Sequence, residues 1–481
     1  MQSRRDQVQA HLFVMSRLAS GMLRAEPDAP DTPTSRTTRG ALTGLALAVL
    51  IGLGTTVYGV MKPGGNTGWA KSGTLVVVNE TGARFLYAGG LLHPVLNETS
   101  AKLLAGDQLT VDQVGQASLS GAPRGGPVGI LGAPDGLPPA AGLGAGAWLA
   151  CGTLQPTAAG GLAPSLSLLV GPRQEGGALA PGQGLLVGAP DGSVQLLWHG
   201  QRLRADTKDG ALDALGYGGT TPFAVTAGFL DSLPAGPDLA SPDIPGRGAP
   251  GPVLAGRPSR VGQLFQAPGG AHYVLTQAGL VPLTDTQFAL LRGDLRTQRD
   301  AYAGAATGPA AIGPDDLAAH TAPGNGFAST LPSAPPALLA PGPAQAVCAD
   351  LHVGSGAPAA SVTVLDAATA SAAQPPAAQP GVSVSCTTAD RIAVHPGGGA
   401  LVRALSGAGT GSTDYLVTDA GVKYPLASAA VVKQLGYAAV SPAAVPDGLL
   451  ALLPTGPSLD PAPLASGGVV VTAVAGTAPC G

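Results

Sequence analysis

Four cysteines are the residues best equipped for chemistry in this 481-residue chain: Cys151, Cys348, Cys386 and Cys480. None sits in a C-x-x-C pair or beside a histidine cluster, so zinc binding and thioredoxin-like exchange lack their usual spacing. In an oxidising compartment an even count reads as two disulfides. Four cysteines allow three connectivities, and spacing does not choose among them. No G-x-x-x-x-G-K-[ST] loop, H-E-x-x-H or G-x-S-x-G elbow occurs. Residues 407–412 (GAGTGS) are glycine-rich but run into a strand-like pattern, which argues against dinucleotide binding. His93, His199 and His272 fall at different points of three repeats, as surface or turn residues would. Asn79 and Asn97 begin N-x-T triplets, which carry meaning only on a eukaryotic secretory route. No catalytic, cofactor-binding or metal-binding set emerges.

The first element that must position these residues is the stretch 41–61, ALTGLALAVLIGLGTTVYGVM. It carries no formal charge and is bounded by Arg36 and Arg39 before it and Lys62 after it. As a helix it reaches roughly 30 Å, the thickness of a bilayer's hydrocarbon core. A helix satisfies its own backbone groups in lipid, and glycines such as Gly44, Gly52, Gly54 and Gly59 let membrane helices approach closely. Forty residues precede the run and no A-x-A site follows, unlike a cleaved signal. Residues 1–39 hold six Arg against four acidic residues, net +2; the rest holds 19 basic and 25 acidic residues, net −6. Positive charge stays inside. This predicts a cytoplasmic helix and Pro-rich spacer over 1–39, one span over 40–61, and an extracytoplasmic region over 62–481 that holds every cysteine.

The N-terminal helix is expected from Asp6 to Leu23, with Val8, Leu12, Met15, Leu18 and Met22 on one face. Pro27, Pro30 and Pro33 then form the spacer. Few lysines flank the apolar face, which favours docking onto a partner's cytoplasmic part over lipid adsorption.

Beyond the span, charged residues are scarce at 11% and the pI is near 5.9, so no basic field marks a nucleic-acid binder. Internal repeats organise this region. Leu215-Gly216-Tyr217 precedes Leu233-Pro234-x-Gly236-Pro237-x-Leu239 by 18 residues, and Leu435-Gly436-Tyr437 precedes Leu453-Pro454-x-Gly456-Pro457-x-Leu459 by the same 18. Two shorter copies, 84–106 and 272–293, share the front half only. Each front half reads as a hairpin followed by a short helix: Tyr415–Thr418, a turn at 419–421, a return over 423–426, then Ala429, Val432 and Leu435 on one helical face. The L-P-x-G-P-x-L motif reads as a rigid turn. The repeats are placed near 82–125, 192–240, 270–310 and 412–461. Core strands come from the segments between them (126–134, 183–190, 361–366) and from 466–476. Residues 333–346 and 367–380, rich in Pro and Ala, read as exposed loops.

Residues 1–23, MQSRRDQVQAHLFVMSRLASGML, resemble the N-terminal signature of EccB, a membrane component of actinobacterial type VII (ESX) secretion systems. Further matches follow in the family's order: LLHPVLNETSAKLL (91–104), GILGAPDGLP (129–138), WLAC (148–151), AVCADL (346–351), VHPGGGALV (394–402) and the last pair of repeat motifs. The resemblance implies an α+β fold: an N-terminal helix, one transmembrane helix, then an elongated extracytoplasmic region of four small α/β repeat domains around a central β-rich core domain. It implies a structural subunit of the inner-membrane secretion complex, with an EccC-type ATPase, EccD, EccE and further EccB copies in a hexameric assembly. It also implies a Cys151–Cys348 disulfide, leaving Cys386 and Cys480 as a second pair. ATPase activity is attributed to members of the family, so ATP enters by that label alone; without a Walker motif the separate EccC motor is the more natural power source. A peptidoglycan-binding protein anchored by one helix is the other reading that small repeated modules suit.

Overall fold

The computed structural model describes residues 4–25, 33–61, 67–144, 146–171, 176–324, 326–327, 330–353, 359–406 and 409–471. Lys62, Cys480, residues 407–408 and the end of the 466–476 stretch lie outside the described residues. Helix α1 covers Arg4–Arg24, and α2 covers Pro33–Met61. Pro33 therefore opens the second helix rather than belonging to a spacer. A proline suits the first helical position, where its missing N–H would have had no intrahelical partner. Within α2, Thr37–Gly59 is long and apolar enough to cross a membrane. Arg36 and Arg39 both lie in the first turns of α2.

The chain divides into two compact units. The first comprises residues 1–92 and 111–124. Beyond α2 it forms a sheet from β1 (Thr74–Val78), β2 (Arg84–Ala88), β3 (Leu91–Pro94) and β4 (Thr110–Val114), in the order β3-β2-β1-β4. Trp69, Val76, Val78, Phe85, Leu92, Val114 and Leu119 form its core.

The second unit, 93–110 and 125–481, begins with α3 (Glu98–Ala105) and β5 (Gly129–Ile130). Strands β6 (Ala147–Pro156), β7 (Leu162–Gly171) and β8 (Gly177–Ala178) come next. A sheet then grows on β9 (Gln183–Gly188), with hairpin β10 (Val194–Trp198) and β11 (Gln201–Arg204), helix α4 (Ala211–Ala214), strand β12 (Phe223–Ala224) and helix α5 (Ala227–Asp231). The hairpin β13 (Pro250–Leu254) and β14 (Arg257–Arg260) leads to a similar sheet. This one contains β15 (Leu264–Gln266), β16 (His272–Thr276), β17 (Gly279–Leu283), α6 (Asp285–Gly293), β18 (Ala310–Ala311) and α7 (Pro314–His320). After β19 (Ala337–Leu338), β20 (Gln345–His352), β21 (Ala359–Asp366), α8 (Ala367–Ser371) and β22 (Arg391–Val394) comes a last sheet. It holds β23 (Gly399–Ser406), β24 (Gly409–Thr418), β25 (Lys423–Leu426), α9 (Ala429–Gln434), β26 (Ala443–Pro446) and α10 (Asp447–Leu450), before α11 (Pro461–Ala465) and β27 (Val469–Val470).

The sheets on β9, β15 and β23 share one topology. The first strand is central, two antiparallel strands stack beside it by tight turns, and the fourth returns parallel to the first. A parallel return needs a crossover, and the short helices α4, α6 and α9 begin it. The front-half hairpin falls where its sequence predicts, with Asp414–Val417 paired to Lys423–Leu426 and Gly421 supplying a positive φ of 72° at the turn. On α9, however, Val431, Val432 and the following Leu435 are buried while Ala429 is exposed.

A six-stranded sheet, β22-β7-β6-β20-β21-β8, occupies the centre of this unit's core. One face buries Trp148, Ala150, Leu168, Val347 and Leu351 against Val187, Phe229, Val402, Val445 and Leu453 of the β9 and β23 sheets and their flanking helices. The expected core strands distribute differently from prediction. Ala359–Asp366 joins the six-stranded sheet, but Gln183–Gly188 pairs with β10 and β12 instead, while β5 and β27 pair with each other. The Ala-rich segment at 367–380 is an exposed loop only in its second half: 367–371 forms α8, whose Ala370, with Ala373 beyond it, is buried against the other face, while 374–380 is mostly exposed. Small side chains let a helix lie that close to a sheet. Within 333–346, Pro336 is buried and β19 pairs with β9.

Candidate functional site

The two long motifs converge on one geometry. Gly216 and Gly436 take φ of 81° and 89°. The N–H of Tyr217 reaches the Leu212 carbonyl and that of Gly216 the Asp213 carbonyl; Tyr437 and Gly436 repeat this on Val432 and Lys433. These are Schellman helix ends, which only a left-handed glycine closes without strain. The closure turns each tyrosine inward. Tyr217 donates to the Pro336 carbonyl at 2.8 Å, and Tyr437 donates to the Pro138 carbonyl at 2.8 Å. Burial pushes the Tyr217 hydroxyl up to about 12 and raises that of Tyr437 as well. Leu215 and Leu435 are buried beside them.

The L-P-x-G-P-x-L motif is not a turn but a strip laid parallel to the third strand. Arg202 N–H donates to Pro234, Gly236 N–H returns to Arg202, and Leu239 N–H reaches Arg204; Lys423, Pro454, Gly456, Pro425 and Leu459 repeat the pattern. Leu233, Leu239, Leu453 and Leu459 are buried. Glycine is needed at 456, where a Cβ would lie 2.2 Å from the Tyr424 ring, whereas a Cβ on Gly236 would meet the movable end of Gln201, its Oε1 at 2.8 Å. Pro237 and Pro457 fall between two donors of the ladder, Gly236 and Leu239 in one copy and Gly456 and Leu459 in the other, at positions where the ladder uses no N–H. Lys423 donates to the Leu450 carbonyl, and burial pushes its ammonium down to about 8 against the pull of Asp447.

The shorter copies also carry the back half, which the sequence hides. At 122–128 (APRGGPV) the length is kept but Ala122, Gly126 and Val128 replace the first leucine, the second proline and the last leucine, yet Leu92 N–H donates to Pro123, and Val128 N–H donates to Pro94. A Cβ on Gly125 would strike His93 at 2.3 Å. In the β15 sheet Ala322 N–H donates to Leu280, alongside the parallel bridge Leu280–Thr321. The surviving signal was proline and glycine around a backbone ladder. His93 and His272 sit half-buried in β3 and β16; only His199, of these three, is in a turn.

Cys151 and Cys348 face each other directly in the β6–β20 register and form a disulfide that spans 197 residues of sequence. Ser167 and Thr363 stand opposite them on the outer neighbours β7 and β21. Leu149, Leu169, Leu365 and Ala370 complete a dry packing around the bridge. Cys386 is also disulfide-bonded. Among the described residues, no group of three His, Cys, Asp or Glu side chains is placed to hold a metal. Asn97 caps α3 with its side chain buried, accepting from Ser100 N–H and donating to the Ile130 carbonyl.

Among the described residues, one helix long and apolar enough to cross a membrane stands ahead of a large β-rich region, which gives the class: a mixed α+β fold with one candidate membrane helix near the N-terminus. Residues 1–467 match the family described as "Type VII secretion system ESX-1, transport TM domain B", and the chain belongs to it. It is 31% identical to the ESX-3 secretion system ATPase EccB3 of Mycolicibacterium smegmatis, over 95% of this chain and 89% of that protein. A chain of an intact ESX-5 inner membrane complex shares the fold, with a TM-score of 0.63, 22% identity and coverage of 96% and 95%. A chain in an EccB3 dimer from the ESX-3 core complex shares it too, with a TM-score of 0.63, 27% identity and coverage of 81% and 98%. The EccB resemblance read from the motifs is thereby established.

Proposed function

We propose that this chain is a structural subunit of a type VII secretion complex in the inner membrane and supports export of folded helical-hairpin proteins. The observation that carries the reading is the family match over residues 1–467, joined to one candidate span in α2. The N-terminus lies in the cytoplasm and residues 62–481 outside it, as the charge asymmetry favours. The partners are an EccC-type ATPase, EccD, EccE and further copies of this chain in a hexamer. The sheets on β1, β9, β15 and β23 act as four repeat domains, and the six-stranded sheet as the β-rich core domain. Their shared topology supports that division, with each domain starting one strand earlier than its sequence motif. Cys386 pairs with Cys480. The lack of a phosphate-cradling motif favours assigning energy supply to the separate motor subunit. The test is deletion of the gene: export of the helical-hairpin substrates should cease while their cytoplasmic levels persist, and the full chain should restore it. Unchanged export in the deletion strain would contradict the proposal.

A further inference from the structure

Between the β9 and β15 sheets, residues 241–247 form a strap held by one buried carboxylate. Asp294, just past the end of α6, has a fully buried side chain. It accepts from Ser241 Oγ at 2.6 Å, from the Arg247 guanidinium, and from the Arg296 N–H at 2.8 Å. Arg247 is only 8% exposed; it also donates to Thr297 Oγ1 at 2.6 Å and to the Pro242 carbonyl at 3.3 Å. Arg296 bridges outward, to Asp294 at 3.3 Å and to Asp209 of the β9 sheet's connection at 3.2 Å.

The surrounding surfaces fit closely. A Cβ on Gly293 would lie 2.3 Å from that of Ala214, so α6 and α4 touch backbone to backbone. Leu290 of α6 is buried among Leu196, Leu203, Leu215 and Tyr217 of the β9 sheet. Burial alone would raise the Asp294 carboxyl, but hydrogen bonds from Ser241 and Arg247 outweigh it and hold it at about 2. The group therefore stays charged at any physiological pH. A buried ion pair of this kind adds little net stability over an apolar pair of similar size, but it tolerates very few geometries.

We infer that Asp294 is a positioning residue that pins the 241–247 strap, so that the β9 and β15 sheets move as one rigid body. This goes beyond the secretion reading and does not depend on it. The test is hydrogen exchange of the full chain in detergent, wild type against Asp294→Asn and against the double variant Arg247→Met/Asp294→Leu. The double variant avoids an unpaired buried arginine, so its fold is expected to persist. Both variants should speed exchange at 207–214 and 241–249 about tenfold, while 147–156 and 345–352 stay as slow as in wild type. A change confined to 294–298 would reduce Asp294 to a local cap of the helix end and overturn the inference. A uniform rise across the chain in the double variant, or no change, would overturn it equally.

Discussion

In the β9 sheet Arg202 and Leu203 stand where the β23 sheet has Lys423 and Tyr424, yet the backbone ladder onto the two L-P-x-G-P-x-L motifs is the same. Arg202 donates to the Leu233 carbonyl at 3.2 Å and lies 3.7 Å from Asp231, at the surface. Lys423 donates to the Leu450 carbonyl from a more enclosed position, and Tyr424 fills the space over Gly456. The residues held in common, Leu-Gly-Tyr and Leu-Pro-x-Gly-Pro, are those whose backbone the ladder or the helix end constrains. Side chains outside those constraints diverge. A repeat of this kind is thus defined by its hydrogen bonds more than by its composition.

The strongest perturbation should come from the element both copies pack against. Cys151→Ser removes a bridge that closes 197 residues, which in a chain-entropy account is worth about 5 kcal/mol. A thermal melt of the full chain should fall steeply, and an unaltered midpoint would show that the six-stranded sheet holds without it.

Next come the glycines, where the copies should separate. Gly456→Ala presses a methyl into a rigid ring at 2.2 Å and should cost about 1–3 kcal/mol. Gly236→Ala meets the movable end of Gln201 and should cost under about 1 kcal/mol. Equal losses would mean that Tyr424 yields as readily as Gln201. The tyrosines should behave alike: Tyr217→Phe and Tyr437→Phe each strand a proline carbonyl and should each cost about 1–2 kcal/mol. A large difference between them would break the equivalence of the two copies.

The smallest effect is a pH slope confined to one copy. Folding lowers the Lys423 pKa from 10.5 to about 8, so between those values the unfolded chain binds more protons than the folded one. Stability should therefore rise as pH increases through that window, and Lys423→Met should flatten the rise. A slope that survives the substitution would place its origin elsewhere.

The local devices were legible in the sequence. The apolar helix, the 419–421 turn and the 18-residue spacing each depend on residues close together in the chain. The six-stranded sheet was not, since β6 pairs with a strand nearly 200 positions away and nothing local encodes that pairing. The back halves of the shorter copies are hidden because their ladders use backbone groups, and 122–128 has Ala, Gly and Val where the long motif has its first leucine, second proline and last leucine. In the Ala-rich stretch only 367–373 departs from the expected loop: the same small residues that suit a loop also suit a helix pressed against a sheet.

The most direct measurement for the whole account is the native mass of the tagged chain after gentle detergent extraction of its own membranes. The account predicts a particle of megadalton order that also contains an FtsK-like ATPase. Recovery of the chain only as a free monomer would contradict it.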